Sequence, residues 1–200
     1  MKSNVFKFLS IAIATGLLLS CGGQTTEDND AHEDNEVAGP SFASECTADN
    51  EVFFQLENYG YQYDTNVSFN GNLDIVRTEW LVKNDSTAEL KMYNYELGAP
   101  DTTSNYQIYV EFHSKNGEKL QSGSYAYNDW DANLWSKVNI ISSTGTVYFN
   151  WSMGMPKQGH VLLNYFDDDN ACGEFVLEVN KPEVSTIGRV ILKGSWKTAD

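Results

Sequence analysis

Between Tyr125 and Trp135 the chain sets four large aromatics, Tyr125, Tyr127, Trp130 and Trp135, among Asn128, Asp129, Asp131 and Asn133. An aromatic ring can stack on the C–H face of a sugar while neighbouring amides and carboxylates take its hydroxyls, so the segment suits glycan binding. In an extended strand, however, Tyr125 and Tyr127 share one face, which is also how a sheet builds its core. A loop tryptophan such as Trp130 or Trp135 often just covers the end of a sandwich. Ligand platform and packing are both open readings of these four residues.

Two acidic stretches have oxygen ligands for calcium. Asp129, Asp131 and Asn133 reproduce the alternation that opens an EF-hand loop, but Leu134 stands where that loop needs glycine and Ile140 where it needs a bidentate Glu. An EF-hand is therefore excluded. Asp167, Asp168 and Asp169 put three mutually repelling carboxylates between two expected strands, where a cation would be welcome and where solvation also suffices. Calcium is the one cation these stretches suit, and no cofactor is otherwise expected. Two cysteines far apart and three histidines do not make a zinc site.

For catalysis the chain has no G-x-S-x-G, no H-E-x-x-H and no phosphate-cradling glycine loop. His113 alternates away from Ile108, Val110 and Phe112, and His160 opens a strand after Gly159; neither has a nucleophile beside it in sequence. The expectation is a protein that is not an enzyme. Asp85-Ser86-Thr87 and Asp101-Thr102-Thr103 resemble the Asp-Ser/Thr sites of Bacteroidota O-glycosylation.

The N-terminus has two cations, Lys2 and Lys7, followed by an apolar run from Phe8 to Leu19. Twelve helical residues reach roughly 18 Å, short of the ~30 Å hydrocarbon core, so the run reads as a secretory signal rather than a membrane span. It ends Leu18-Leu19-Ser20-Cys21-Gly22, which resembles the lipobox of bacterial lipoproteins. The resemblance implies cleavage before Cys21, acylation of its thiol and a membrane partner held through those acyl chains. Six acids and no base lie between Gly22 and Val37. With little apolar surface to bury, such a segment cannot offset its ordering entropy and reads as a tether. A cysteine followed by an acidic run also resembles the surface-export signal of Bacteroidota lipoproteins, the alternative being a solvated spacer. The expected location is the outer membrane, lipid-anchored, with the side it faces left open.

With Cys21 assigned to lipid, Cys46 and Cys172 are the two thiols remaining in an oxidising compartment, where such pairs most often form a disulfide. The chain carries 28 acids against 13 Lys and Arg, a net of −15. From Cys46 on it carries 21 acids against 11 bases, a net of −10. That charge argues against nucleic acid and leaves neutral ligands, such as glycans, or a protein partner.

The elements that must position these residues are strands. Val52, Phe54 and Leu56; Ile108, Val110 and Phe112; Val147, Phe149 and Trp151; Phe175, Leu177 and Val179; and Val190, Leu192 and Trp196 each recur at period two. Asn70-Gly71 and Asn116-Gly117 read as hairpin dipeptides, and Thr144-Gly145 and Pro156–Gly159 as further turns. Residues 73–83 fit either a strand or a short helix. The expected organisation is a signal peptide over 1–20, a lipidated acidic tether over 21–45 and one domain over 46–200. That domain is expected to be all-β, an antiparallel β-sandwich of about nine or ten strands, with a calycin-like β-barrel as the alternative. The function expected is a noncatalytic binding or interaction module on an envelope lipoprotein. The alternatives are a carrier holding a hydrophobic ligand inside a barrel and a structural envelope protein, with a hydrolase last.

Overall fold

A computed structural model describes residues 40–59, 67–102, 104–143, 147–150, 158–179 and 189–198. The signal peptide, Cys21, the tether as far as residue 39, Thr103, Thr144-Gly145, Pro156 and Lys157 lie outside the described residues, as do the side chains of Val147 and Phe149 and all of Trp151. Among the described residues the sequence becomes one α-helical turn, α1 (Phe42–Glu45), one 3-10 turn (Lys115–Gly117) and eleven strands. They are β1 (Val52–Tyr59), β2 (Val67–Leu73), β3 (Arg77–Asn84), β4 (Thr87–Tyr93), β5 (Tyr106–Ser114), β6 (Gly123–Tyr127), β7 (Leu134–Ser142), β8 (Val147–Asn150), β9 (His160–Phe166), β10 (Ala171–Val179) and β11 (Val190–Lys197). Residues 73–83, open to helix or strand from the sequence, are the end of β2, a link at 74–76 and most of β3, with no helix.

The strands form one path, β2-β1-β11-β10-β9-β6-β7-β5-β4-β3, with β8 pairing off β7. Pairing is antiparallel except between β6 and β7. Two antiparallel runs, β9-β10-β11-β1-β2 and β7-β5-β4-β3, are thus joined through a strand that leaves β5 and inserts on the far side of β7. The all-β expectation holds, with a difference in how the layers connect. Instead of two separate sheets, a single mixed sheet curls into a half-barrel until its two runs face each other across one core.

Ring contacts across that core show the curl. Tyr106 of β5 meets Phe54 of β1 at 5.5 Å and Phe69 of β2 at 5.2 Å. Phe112 of β5 meets Trp196 of β11 at 6.1 Å and Tyr125 of β6 at 5.0 Å. Trp80 of β3 lies 6.1 Å from Phe166 of β9, and its indole N–H donates to the Asp167 carbonyl at 3.0 Å. Phe54, Phe112, Tyr125, Tyr127, Phe175 and Trp196 are all under 2 % exposed, so among the described residues these rings pack the space between the two runs. Burying each such ring contributes about 1.5–3 kcal/mol.

The two hairpin dipeptides behave differently. Asn116 (φ 60°) and Gly117 (φ 73°) both take the left-handed conformation expected of them, but their reversal joins β5 to β6, which are not neighbours in the sheet. Asn70 and Gly71 sit inside β2, opposite Gln55 and Phe54. Pairing with β1 holds that dipeptide extended, so its turn preference is overridden by ladder hydrogen bonds and the Phe54–Phe69 stack.

Candidate functional site: the outer face of β4, β5 and β7

Opposed residues in a sheet present their side chains on one face, so the ladders define the outer surface row by row. One row runs Thr87–His113–Trp135–Ala126–His160 across β4, β5, β7, β6 and β9. The next runs Glu89–Glu111–Lys137 across β4, β5 and β7. The third holds Lys91, Tyr109 and Asn139. β5 alternates perfectly between buried and partly buried positions, which puts Tyr109, Glu111 and His113 outside while Ile108, Val110 and Phe112 are core.

Glu111 is the hub. Its Oε1 accepts from the Tyr109 hydroxyl at 2.9 Å, and its Oε2 lies 2.8 Å from Lys137 Nζ and 3.0 Å from His113 Nε2. The Tyr109 hydroxyl is also 2.9 Å from Glu89 Oε1, whose other partner is Lys83 Nζ at 3.2 Å. A phenol has one proton to donate, so Tyr109 serves one carboxylate at a time while the flanking ammonium groups balance both. Beside the hub the His113 and Trp135 rings stack at 4.1 Å with planes 10° apart, and Lys137 Nζ stands 5.5 Å from the Trp135 ring.

Burial alone would raise the Glu111 carboxyl, but hydrogen bonds from Lys137, Tyr109 and His113 together hold it below its ordinary value. Burial, aided by the Lys137 charge, lowers His113 despite its bond to Glu111. Burial and the two carboxylates raise Tyr109 strongly. The cluster is therefore a neutral imidazole, a neutral phenol, two carboxylates and two ammonium groups at neutral pH, with no net charge.

These shifts give a testable pH dependence. A histidine that is lowered on folding resists protonation only in the folded state. Its contribution is complete above the ordinary value of 6.5 and is lost as pH falls through the folded value. Lowering of Glu111 acts in the same direction further into acid. Thermal midpoints should therefore fall from pH 7.5 to pH 4.5, and His113→Gln should remove the part of the fall that begins near pH 6.5. An unchanged profile in that variant would contradict the assignment.

The four aromatics singled out in sequence do not form one platform. Tyr125 and Tyr127 are 0 % exposed and belong to the core. Burial pushes the Tyr125 phenol up to about 12, and its hydroxyl donates to the Gln121 carbonyl at 2.8 Å. Their identical strand parity, read as ambiguous from sequence, is resolved by β6 lying between β7 and β9, with its inner face over Phe112. Trp135 emerges on the outer face, and Trp130 is 52 % exposed in the β6–β7 turn.

Of the acidic stretches, Asp167 closes the β9–β10 turn. Its Oδ1 accepts from the Asp169 and Asn170 amides at 2.9 and 2.7 Å, and its Oδ2 from the Tyr165 hydroxyl at 3.0 Å. Asp168 and Asp169 are exposed. Among the described residues no group of three or more His, Cys, Asp or Glu is arranged to hold a metal ion. Asp129 turns its carboxylate to the Asp131 amide, and the Asp131 carbonyl accepts from Lys115 Nζ at 2.8 Å.

Cys46 and Cys172 are joined, with α-carbons 5.7 Å apart across 126 positions of sequence. Sequence reasoning found this pair and Trp135; it set His113 on the outer face without giving it a role, and it assigned no role to Tyr109, Glu111 or Lys137. Their outward stripe was visible as alternation, whereas the register that brings β7 beside β5 was not. No family model, curated protein or solved structure matches the chain.

Proposed function

We propose that the chain is an outer-membrane lipoprotein, anchored by acyl chains on Cys21, and that its body is a noncatalytic binding module taking a glycan on the outer face of β5 and β7. The observation that carries the ligand reading is the charge-balanced cluster around Glu111, flanked by the stacked His113–Trp135 pair. A neutral polyhydroxylated ligand needs fixed donors, fixed acceptors and an aromatic edge without net charge. In a chain of net −15 this patch supplies that combination. Glu111 already has three donors, which suits it to holding a geometry rather than to moving protons. The six buried rings between the runs favour an outer-face ligand over one carried inside.

The test is a glycan array probed with the full chain, its Trp130→Ala variant and its Trp135→Ala variant. At least tenfold loss of binding is expected in the Trp135 variant, with stability within about 1 kcal/mol for each exposed-face change. Undiminished binding by both variants, or no glycan bound by the parent, would overturn the ligand reading and leave a structural envelope role. The anchor is tested separately. Cys21→Ser should abolish palmitate incorporation and membrane retention, and label persisting in that variant would refute it.

A further inference from the structure

The cluster around Glu111 is one part of a longer strip. β4 pairs with β5 over seven rungs and β5 with β7 over nine, neither with a register shift, so the outward residues of the three strands fall in unbroken rows. Those of β5, from Gln107 to His113, are all partly buried. The strip ends on a second stack. Tyr93 lies in the row of Gln107, three rows from His113 and Trp135. In that row Arg77 of β3 sets its guanidinium 3.7 Å from the centroid of the Tyr93 ring, and the Tyr95 ring meets Tyr93 edge-on at 5.5 Å. Glu79 holds Arg77 at 2.6 Å and Lys91 at 3.5 Å. At ~3.3 Å per residue, Gln107 and His113 are roughly 20 Å apart along β5. One sugar ring cannot touch both stacks, whereas a chain of several can.

We infer that this face takes an extended glycan chain lying along β5, with one ring on the His113–Trp135 stack and another on the Arg77–Tyr93 stack, rather than a single terminal sugar. The inference rests on the glycan reading above and adds the length and direction of the ligand. A guanidinium backed by an aromatic ring is planar and weakly hydrated, so it meets the C–H face of a sugar much as an indole does, and its N–H groups donate to hydroxyls at the rim. Between the stacks Tyr109, Glu111 and Lys137 are fixed by bonds to one another, so they serve the middle rings with little further loss of side-chain freedom.

A peptide of the same length gains less there. The strip is the flat of the sheet, where β5 is paired on both sides, so a peptide backbone finds no ladder to extend. The absence of any register shift along the strip also favours a ligand without sharp bends. β-1,4-linked pyranoses run extended, whereas α-1,4-linked ones coil, so the first kind of chain keeps both stacks in reach.

The test is calorimetric titration of the full chain with cello-, chito- and malto-oligosaccharides, each from disaccharide to hexasaccharide. Affinity for a β-1,4-linked series should rise at least tenfold with length, and the malto series should rise less. Arg77→Ala should cut that rise to under about threefold. Arg77→Lys keeps the charge beside Glu79 but loses the planar stack, and should cut it as well. A flat length series, with binding still abolished by Trp135→Ala, would overturn the chain and leave a single-ring site. A rise that both Arg77 variants retain, or a larger rise in the malto series, would overturn it too. No binding in any series would overturn the glycan reading itself, and the chain with it.

Discussion

Cys46→Ala/Cys172→Ala is expected to lower the unfolding free energy by about 2–5 kcal/mol. The bridge closes a loop spanning 126 positions, and the chain-entropy model puts such a closure near 5 kcal/mol. It also ties the approach to β1 onto β10. That approach is stitched to β11 as well. The Glu51 amide donates to the Ser195 carbonyl at 3.0 Å, the Lys197 amide donates to Asn50 Oδ1 at 2.8 Å, and Ser195 Oγ donates to the Asp49 carbonyl at 2.6 Å. Those bonds survive the substitution, so the variant should fold while its urea midpoint falls. Both cysteines are under 8 % exposed, so reduction of the parent protein should be slow until it unfolds. A midpoint shift worth less than 1 kcal/mol would show that the hydrogen-bonded seam, not the bridge, holds the end of the sheet.

Gly173→Ala should be comparably damaging, at about 2–4 kcal/mol, although it adds a single methyl group. A Cβ at Gly173 would lie 1.8 Å from the Leu162 carbonyl oxygen and 2.8 Å from Trp196 Cζ2. The first obstacle is backbone of β9, hydrogen-bonded into the sheet, and the second is a fully buried indole. Neither yields without opening the β9–β10 ladder at its register shift beside Cys172. Gly98→Ala is the informative comparison. Gly98 has φ 84° but nothing within 4 Å of its added carbon, so it costs backbone strain alone, about 1 kcal/mol. Chemical denaturation of the two variants should rank Gly173 well above Gly98. Equal losses would mean that conformation, not space, limits both sites.

How much of this was readable beforehand differs between face and neighbour. Val52, Phe54 and Leu56 in β1, Ile108, Val110 and Phe112 in β5, and Val190, Leu192 and Trp196 in β11 were assigned inward from alternation, and all are core. The outward position of His113 followed from the same rule. Asn70-Gly71 misled because a dipeptide's preference is worth about a kilocalorie, less than the ladder and ring stacking that hold β2 extended. The candidate site was legible only as one stripe, Tyr109, Glu111 and His113. Trp135 was noticed for its ring rather than its place, and Lys137 was not noticed at all.

Side-chain direction along a strand is a local property with period two, so the amino-acid sequence alone determined the all-β class, most of the inward residues and the pairing of its two later cysteines. Strand order and register are set by contacts between residues far apart in the chain, chosen by total burial and ladder bonding. Only the tertiary structure could therefore decide that β6 inserts parallel to β7, that Tyr125 and Tyr127 become core, and that Glu111 of β5 meets Lys137 of β7. A shift of one residue in any of those pairings would have dispersed the same side chains to opposite faces.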